Sequence, residues 1–181
     1  GILFIGKPVN IPPVGCPIVG PITTPYGQNI SGYSFGPHHG VDISDGANTP
    51  VHTTLTGNAV FTEGNVGDNG IDQIVTVTSL DGKYQVRFHH LEIGSAIADG
   101  PVVLGQVIGN EDTTGRSTGN HVHYTVSVGG IEANPFDFMT TSSSLNVPIP
   151  AIDPSTGLPD YSGIAEPADY WGNCFSLPPG S

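Results

Sequence analysis

The sequence carries seven histidines, and all of them fall between positions 38 and 123. In Gly119-Asn120-His121-Val122-His123-Tyr124-Thr125-Val126, two imidazoles stand two residues apart where the pattern reads as a strand. Side chains at i and i+2 of a strand share a face, so His121 and His123 point one way and Val122, Tyr124, Val126 and Val128 the other. The apolar set wants a core. The histidines therefore stand off it, on a face continued by Thr125 and Ser127, where two neutral imidazoles can share a metal ion or a reacting group.

A second candidate is His38-His39-Gly40-Val41-Asp42. In an extended segment positions i and i+4 share a face, so His38 has the parity of Asp42 and His39 is the neighbour, although composition alone admits either histidine as the one facing a metal. Taken alone, His-x-x-x-Asp reads as a surface hydrogen-bonded pair. In Lys83-Tyr84-Gln85-Val86-Arg87-Phe88-His89-His90-Leu91, alternation puts Tyr84, Val86, Phe88 and His90 on one face, and Gln85, Arg87 and His89 on the solvated one. His90 then ends an apolar stripe, and His52 reads as a surface residue. Combination changes this reading. His38, Asp42 and one of His121 and His123 make a two-histidine, one-carboxylate set, which leaves a coordination position open, as in catalytic rather than structural zinc. Zinc so held lowers the pKa of its water towards about 7 and polarises a carbonyl, and a histidine beside it can take a proton or steady an oxyanion. Ferrous iron fits the same three ligands but has no use for the surplus histidines.

These side chains need a rigid frame. The chain has 181 residues, 26 of them glycine and 17 proline, and its apolar runs are short and broken by turn residues. That favours one all-β domain, and no helix is expected. Expected strands cover residues 50–54, 58–63, 73–79, 84–90, 102–108 and 121–128, divided by Asp68-Asn69-Gly70, Asp81-Gly82 and Gly129-Gly130. Asp81-Gly82 reads as a two-residue hairpin turn. The core is expected over residues 21–139, preceded by an extended Pro-rich arm at 1–20 and followed by an extended Pro/Ser/Gly-rich tail at 140–181. The aromatics of the tail, Tyr161, Tyr170, Trp171 and Phe175, argue that it docks on the domain or a partner. The opening six residues read as a terminal strand or partner-binding segment rather than the remnant of an export signal. Cys16 and Cys174 could form one disulfide, which would suggest an oxidising compartment, or stay as two separate thiols.

Charge narrows the partners. With 4 basic against 16 acidic residues the formal net charge is -12. Nucleic-acid binding needs clustered Lys and Arg, so it is not expected, and anionic surfaces are repelled at long range. No apolar run approaches the roughly 18 residues of a membrane span.

In order, the chain contains Ile-Thr-Thr-Pro-Tyr-Gly from Ile22, His-His-Gly-Val-Asp-Ile-Ser from His38, Asn-Thr-Pro-Val-His from Asn48, Phe-His-His-Leu from Phe88, Gly-Gln-Val-Ile-Gly from Gly105, Thr-Gly-Arg-Ser-Thr-Gly-Asn-His-Val-His from Thr114 and Asn-Pro-Phe-Asp-Phe from Asn134. This ordered set, over roughly residues 22–139, resembles the zinc endopeptidases of the lysostaphin and LytM type, the M23 family, which cut peptide cross-links of bacterial peptidoglycan. The resemblance implies that His38, Asp42 and His123 bind Zn2+ and that His90 and His121 are catalytic histidines flanking it. It implies an antiparallel β domain of barrel-sandwich type with an open groove, walled by residues 28–37, 64–70 and 112–120. It further implies peptidoglycan peptides as substrate and action in an extracellular, cell-envelope or virion-associated setting. Three features depart from the family pattern: His89 before the third motif's histidine, the strongly acidic balance, and the arm and tail. The last invite an alternative, a non-hydrolytic structural or attachment subunit of a phage tail or cell-surface assembly.

Overall fold

The computed structural model describes residues 12–18, 20–28, 37–115, 117 and 119–139, together with the backbone of 151–152, 159–160 and 173–174. The opening residues, nearly all of the expected wall at 28–37 and most of the tail lie outside the described residues. In chain order the strands are β1 (Gly20–Thr24), β2 (Val41–Ile43), β3 (Pro50–His52), β4 (Gly57–Gly67), β5 (Gly70–Thr78), β6 (Tyr84–His89), β7 (Gly100–Val102), β8 (Val107–Asn110), β9 (Val122–Val128), β10 (Ile131–Ala133), β11 (Ala151–Ile152), β12 (Pro159–Asp160) and β13 (Asn173–Cys174). The main sheet has nine strands in the order β13-β1-β2-β9-β6-β5-β4-β7, with β10 also on β9, and every pairing in it is antiparallel. β3 pairs β8, and β11 pairs β12, in two smaller ribbons.

Alternation produces the core as the sequence pattern implies. Val41 and Ile43 of β2, Val75 and Val77 of β5, Val86 and Phe88 of β6, and Val122, Tyr124 and Val126 of β9 are all fully buried. Phe88 and Tyr124 are direct cross-strand partners, and their rings stack at 5.5 Å. Burying each such side chain contributes about 1.5–3 kcal/mol, so this face is a large part of what stabilises the domain. Cys16, which is disulfide-bonded, and Ile18 pack into the same core, so the end of the expected arm is anchored on the domain.

Turn chemistry fixes the register. Gly129 and Gly130 join β9 to β10 with φ of 58° and 81°, the left-handed pair that a type I′ hairpin demands and that L side chains resist. Asp81-Gly82 lies in a wider loop than expected: the flanking bond runs from the Ser79 amide to the Tyr84 carbonyl, and the Asp81 carboxylate accepts from the Ser79 hydroxyl and the Lys83 amide. The expected strand at 102–108 divides into β7 and β8, because the Gly105 amide bonds the Thr53 carbonyl and the Gln106 amide closes on Val103. One helical turn, α1 (Phe136–Met139), occurs where none was expected. Asn134 caps it through its side-chain oxygen, 3.0 Å from the Phe136 amide, and Pro135 suits the start of a helix. The turn exists to bury Phe136 and Met139.

Candidate metal centre

Three stretches converge on the polar face of β2, β6 and β9. Asp42 pairs with His123 across β2 and β9, and His123 pairs with His89 across β9 and β6, so one row of the sheet carries all three. His38 enters from the segment preceding β2. Gly40 makes the approach possible: a Cβ there would lie 2.6 Å from the Tyr124 carbonyl oxygen and 2.8 Å from Cε1 of His123. His39, the alternative left open by composition, points outward and pairs with Glu132 at 2.9 Å.

The donor atoms are aimed by their outer hydrogen bonds. His38 donates Nδ1–H to the Pro25 carbonyl oxygen at 3.1 Å, which leaves Nε2 facing Asp42 Oδ1 at 3.2 Å. His123 presents Nδ1 to the same oxygen at 2.9 Å. Bonds of about 2.0–2.1 Å meeting near the tetrahedral angle put two ligand atoms about 3.3 Å apart. The separations to Asp42 are close to that, and one donor atom from each of His38, Asp42 and His123 lies within 4.8 Å of the others. The donor set, two imidazole nitrogens and one carboxylate oxygen, fits zinc. Burial works against the Asp42 charge, but hydrogen bonds from His123 and His38 outweigh it and hold the carboxyl well below the usual carboxylate range. Burial pushes His123 down to about 4 despite the pull of Asp42. His38, also disfavoured by burial, is nonetheless raised by Asp42.

Two further imidazoles flank this group. His121 donates Nδ1–H to the Gly119 carbonyl oxygen at 2.8 Å and turns Nε2 towards Asp42, 3.7 Å away. His90 donates Nδ1–H to the Thr114 carbonyl oxygen at 2.8 Å, and its ring lies 4.7 Å from that of His121. Asp112 straps the two together: its amide donates to the His90 carbonyl and its carbonyl accepts from the His121 amide. The expected walls meet here, since Asn69 bridges Gly115 and donates its side-chain amide to the Ser117 carbonyl at 2.8 Å.

The structure corrects two readings of the Phe-His-His-Leu segment. His90 does not continue the apolar stripe, because its φ of 65° turns it off the strand and swings its ring across to His121. His89 keeps to the polar face yet is not simply solvated: its Nδ1–H donates to Asp72 Oδ2 at 2.9 Å and its ring stands edge-on to His123 at 5.2 Å. Asp72 itself escaped sequence reasoning. It is buried, accepts the His90 amide at 2.7 Å, and is held ionised against the cost of burial by His89 and His90. The only hint was an acid at the head of an apolar run, Ile71-Asp72-Gln73-Ile74. His52, expected at the surface, is partly buried, with Nδ1 2.8 Å from the Gly105 carbonyl.

Known proteins resemble this chain over its central part. DD-carboxypeptidase/endopeptidase Mpg of Neisseria meningitidis is 33% identical over 116 residues, covering 63% of this chain and 26% of that protein. Peptidoglycan DD-endopeptidase ShyA of Vibrio cholerae is 33% identical over 98 residues, covering 54% and 22%. The chain thus spans about a quarter of the length of these relatives. Among solved structures, the catalytic domain of the antimicrobial peptidase lysostaphin from Staphylococcus simulans superposes with a TM-score of 0.55 at 26% identity, covering 66% of this chain and 91% of that one. The sequence pattern of peptidase family M23 matches residues 36–135, which contain every histidine and carboxylate described above. This chain belongs to peptidase family M23.

Proposed function

We propose that the protein is a zinc-dependent endopeptidase that hydrolyses peptide cross-links of bacterial peptidoglycan. The observation that carries this reading is the convergence of His38 Nε2, Asp42 Oδ1 and His123 Nδ1 beside two imidazoles whose Nε2 atoms are left free by their carbonyl partners. Bound zinc would supply a Lewis acid and an acidified water at neutral pH. His38, Asp42 and His123 would hold the ion. His121, fixed with the proton on Nδ1, offers the Nε2 lone pair as a base for a proton of the attacking water. His90, beside His121 and raised by Asp72 against the cost of burial, offers Nε2–H to the developing oxyanion when protonated. The names borne by the relatives, a carboxypeptidase/endopeptidase and a peptidoglycan endopeptidase, support the substrate class. The disulfide-bonded Cys16 supports action outside the cytoplasm, at the cell envelope.

The test is incubation with purified peptidoglycan of several cross-bridge types, with and without chelator, followed by mass analysis of released fragments. New amino termini at cross-links, abolished by chelator and restored by zinc, are expected. Intact sacculi under all conditions, with zinc demonstrably bound, would overturn the reading.

A further inference from the structure

The polar face that bears the metal group continues away from it as a groove of about 520 Å3. Its floor is a ladder of cross-strand pairs: His89 opposite His123, then Arg87 opposite Thr125, then Gln85 opposite Ser127. This chain has only four basic residues against sixteen acidic ones, yet two of the four, Arg87 and Lys83, line this groove. Arg87 is exposed, and its side chain makes no ion pair or hydrogen bond with any of the described residues. Its row is walled by short side chains, Thr76 on β5 and Thr125 on β9, and beyond Thr125 lies Gly40. The groove's carboxylate, Glu132, sits one row further on and is already engaged by His39 and by the Tyr26 hydroxyl at 2.6 Å.

We infer that Arg87 is a carboxylate-binding subsite, and that the preferred substrate is a peptide carrying a carboxylate about two residues from the bond being cut. The inference deepens the endopeptidase reading and rests on it for the direction of the groove. The Arg87 row lies two residues along β6 from the His89 row, about 7 Å at strand rise, which an extended peptide spans in two residues with side chains on the same face. A planar guanidinium with both edges open matches a carboxylate through two parallel charge-assisted bonds, which a lysine cannot copy. The net charge of -12 repels anionic peptides at long range, so a local cation is needed to favour an acidic peptide in the groove. A side chain and a free C-terminus are the two sources of such a carboxylate; both offer the same two oxygens.

The experiment is calorimetric titration of the metal-free full chain, where hydrolysis does not intrude. The probes are acetyl-Ala-Ala-Glu-Ala-amide against its Gln counterpart, and acetyl-Ala-Ala-Ala acid against its amide, with L and D forms at the acidic position. At least a fivefold preference for the carboxylate in one pair is expected, lost in Arg87→Gln and reduced but present in Arg87→Lys; the pair that shows it identifies the source. Equal affinities in both pairs, no binding of any probe, or a preference that survives Arg87→Gln overturns the subsite. Absence of peptidoglycan cleavage alongside an intact Arg87-dependent preference would instead count against the endopeptidase reading.

Discussion

The Asp72 carboxylate bonds two consecutive histidines at once, taking the His90 amide on Oδ1 at 2.7 Å and the His89 ring on Oδ2 at 2.9 Å. His90 has a left-handed backbone, a conformation that costs a non-glycine residue of order 1–3 kcal/mol. A hydrogen bond to a charged group contributes about 1.5–3 kcal/mol, enough to hold that turn. Asp72→Ala should therefore destabilise the metal-free protein by about 2 kcal/mol and lower hydrolysis at least tenfold while zinc stays bound. Asp72→Asn, which keeps an acceptor for the amide, should recover part of both. Thermal unfolding, zinc content and kcat/KM together check this, and normal activity in the alanine variant would remove Asp72 from the machinery.

The roles proposed for the four site histidines should separate by metal content. His123→Ala and His38→Ala should lose zinc and hydrolysis together, whereas His121→Ala and His90→Ala should keep the metal and lose at least a hundredfold in kcat. Metal analysis of each purified variant decides, and loss of zinc from His121→Ala would move that residue into the ligand set.

Gly40 predicts a purely steric effect. A methyl there would meet the Tyr124 carbonyl and the His123 ring at less than 3 Å, and the backbone oxygen cannot yield. Gly40→Ala should push β2 off β9 and weaken zinc at least tenfold in a chelator competition, although no donor atom has been changed.

Acid should release the metal in a defined order. Only neutral imidazole binds zinc, and Asp42 outweighs burial to raise His38 above its ordinary 6.5. Affinity should be level well above that raised value and fall about tenfold per pH unit below it, as one proton must be displaced. His123, at about 4, adds a second proton only in stronger acid. Affinity measured between pH 5 and 8 tests the sign; a flat profile would show that no ligand competes for a proton in that range.

How much of this could be read from residues alone depended on whether parity governed the position. Val122, Tyr124 and Val126 are buried and His123 stands opposite Asp42, because on a regular strand spacing dictates the face. The same parity chose His38 over His39 correctly as the partner of Asp42. It failed at His90, where one left-handed residue breaks the alternation, and no residue type there announces it. It could not find Asp72, whose partners lie 17 and 18 residues away and depend on how β5 meets the end of β6. The helical turn at Phe136–Met139 was missed because four residues are too few for a period to show.

β13 lies along the outer side of β1, Gly20 against Cys174 and Pro21 against Asn173. That makes residues 173–174 a cover for the margin of the main sheet, at the other end of the strand order from β7. A chain shortened before Asn173 would retain His38, Asp42 and His123 yet expose a bare row of peptide groups, a ready template for a second copy to dock against. Protection of that edge would thus be supplied by a segment remote in sequence from the chemistry.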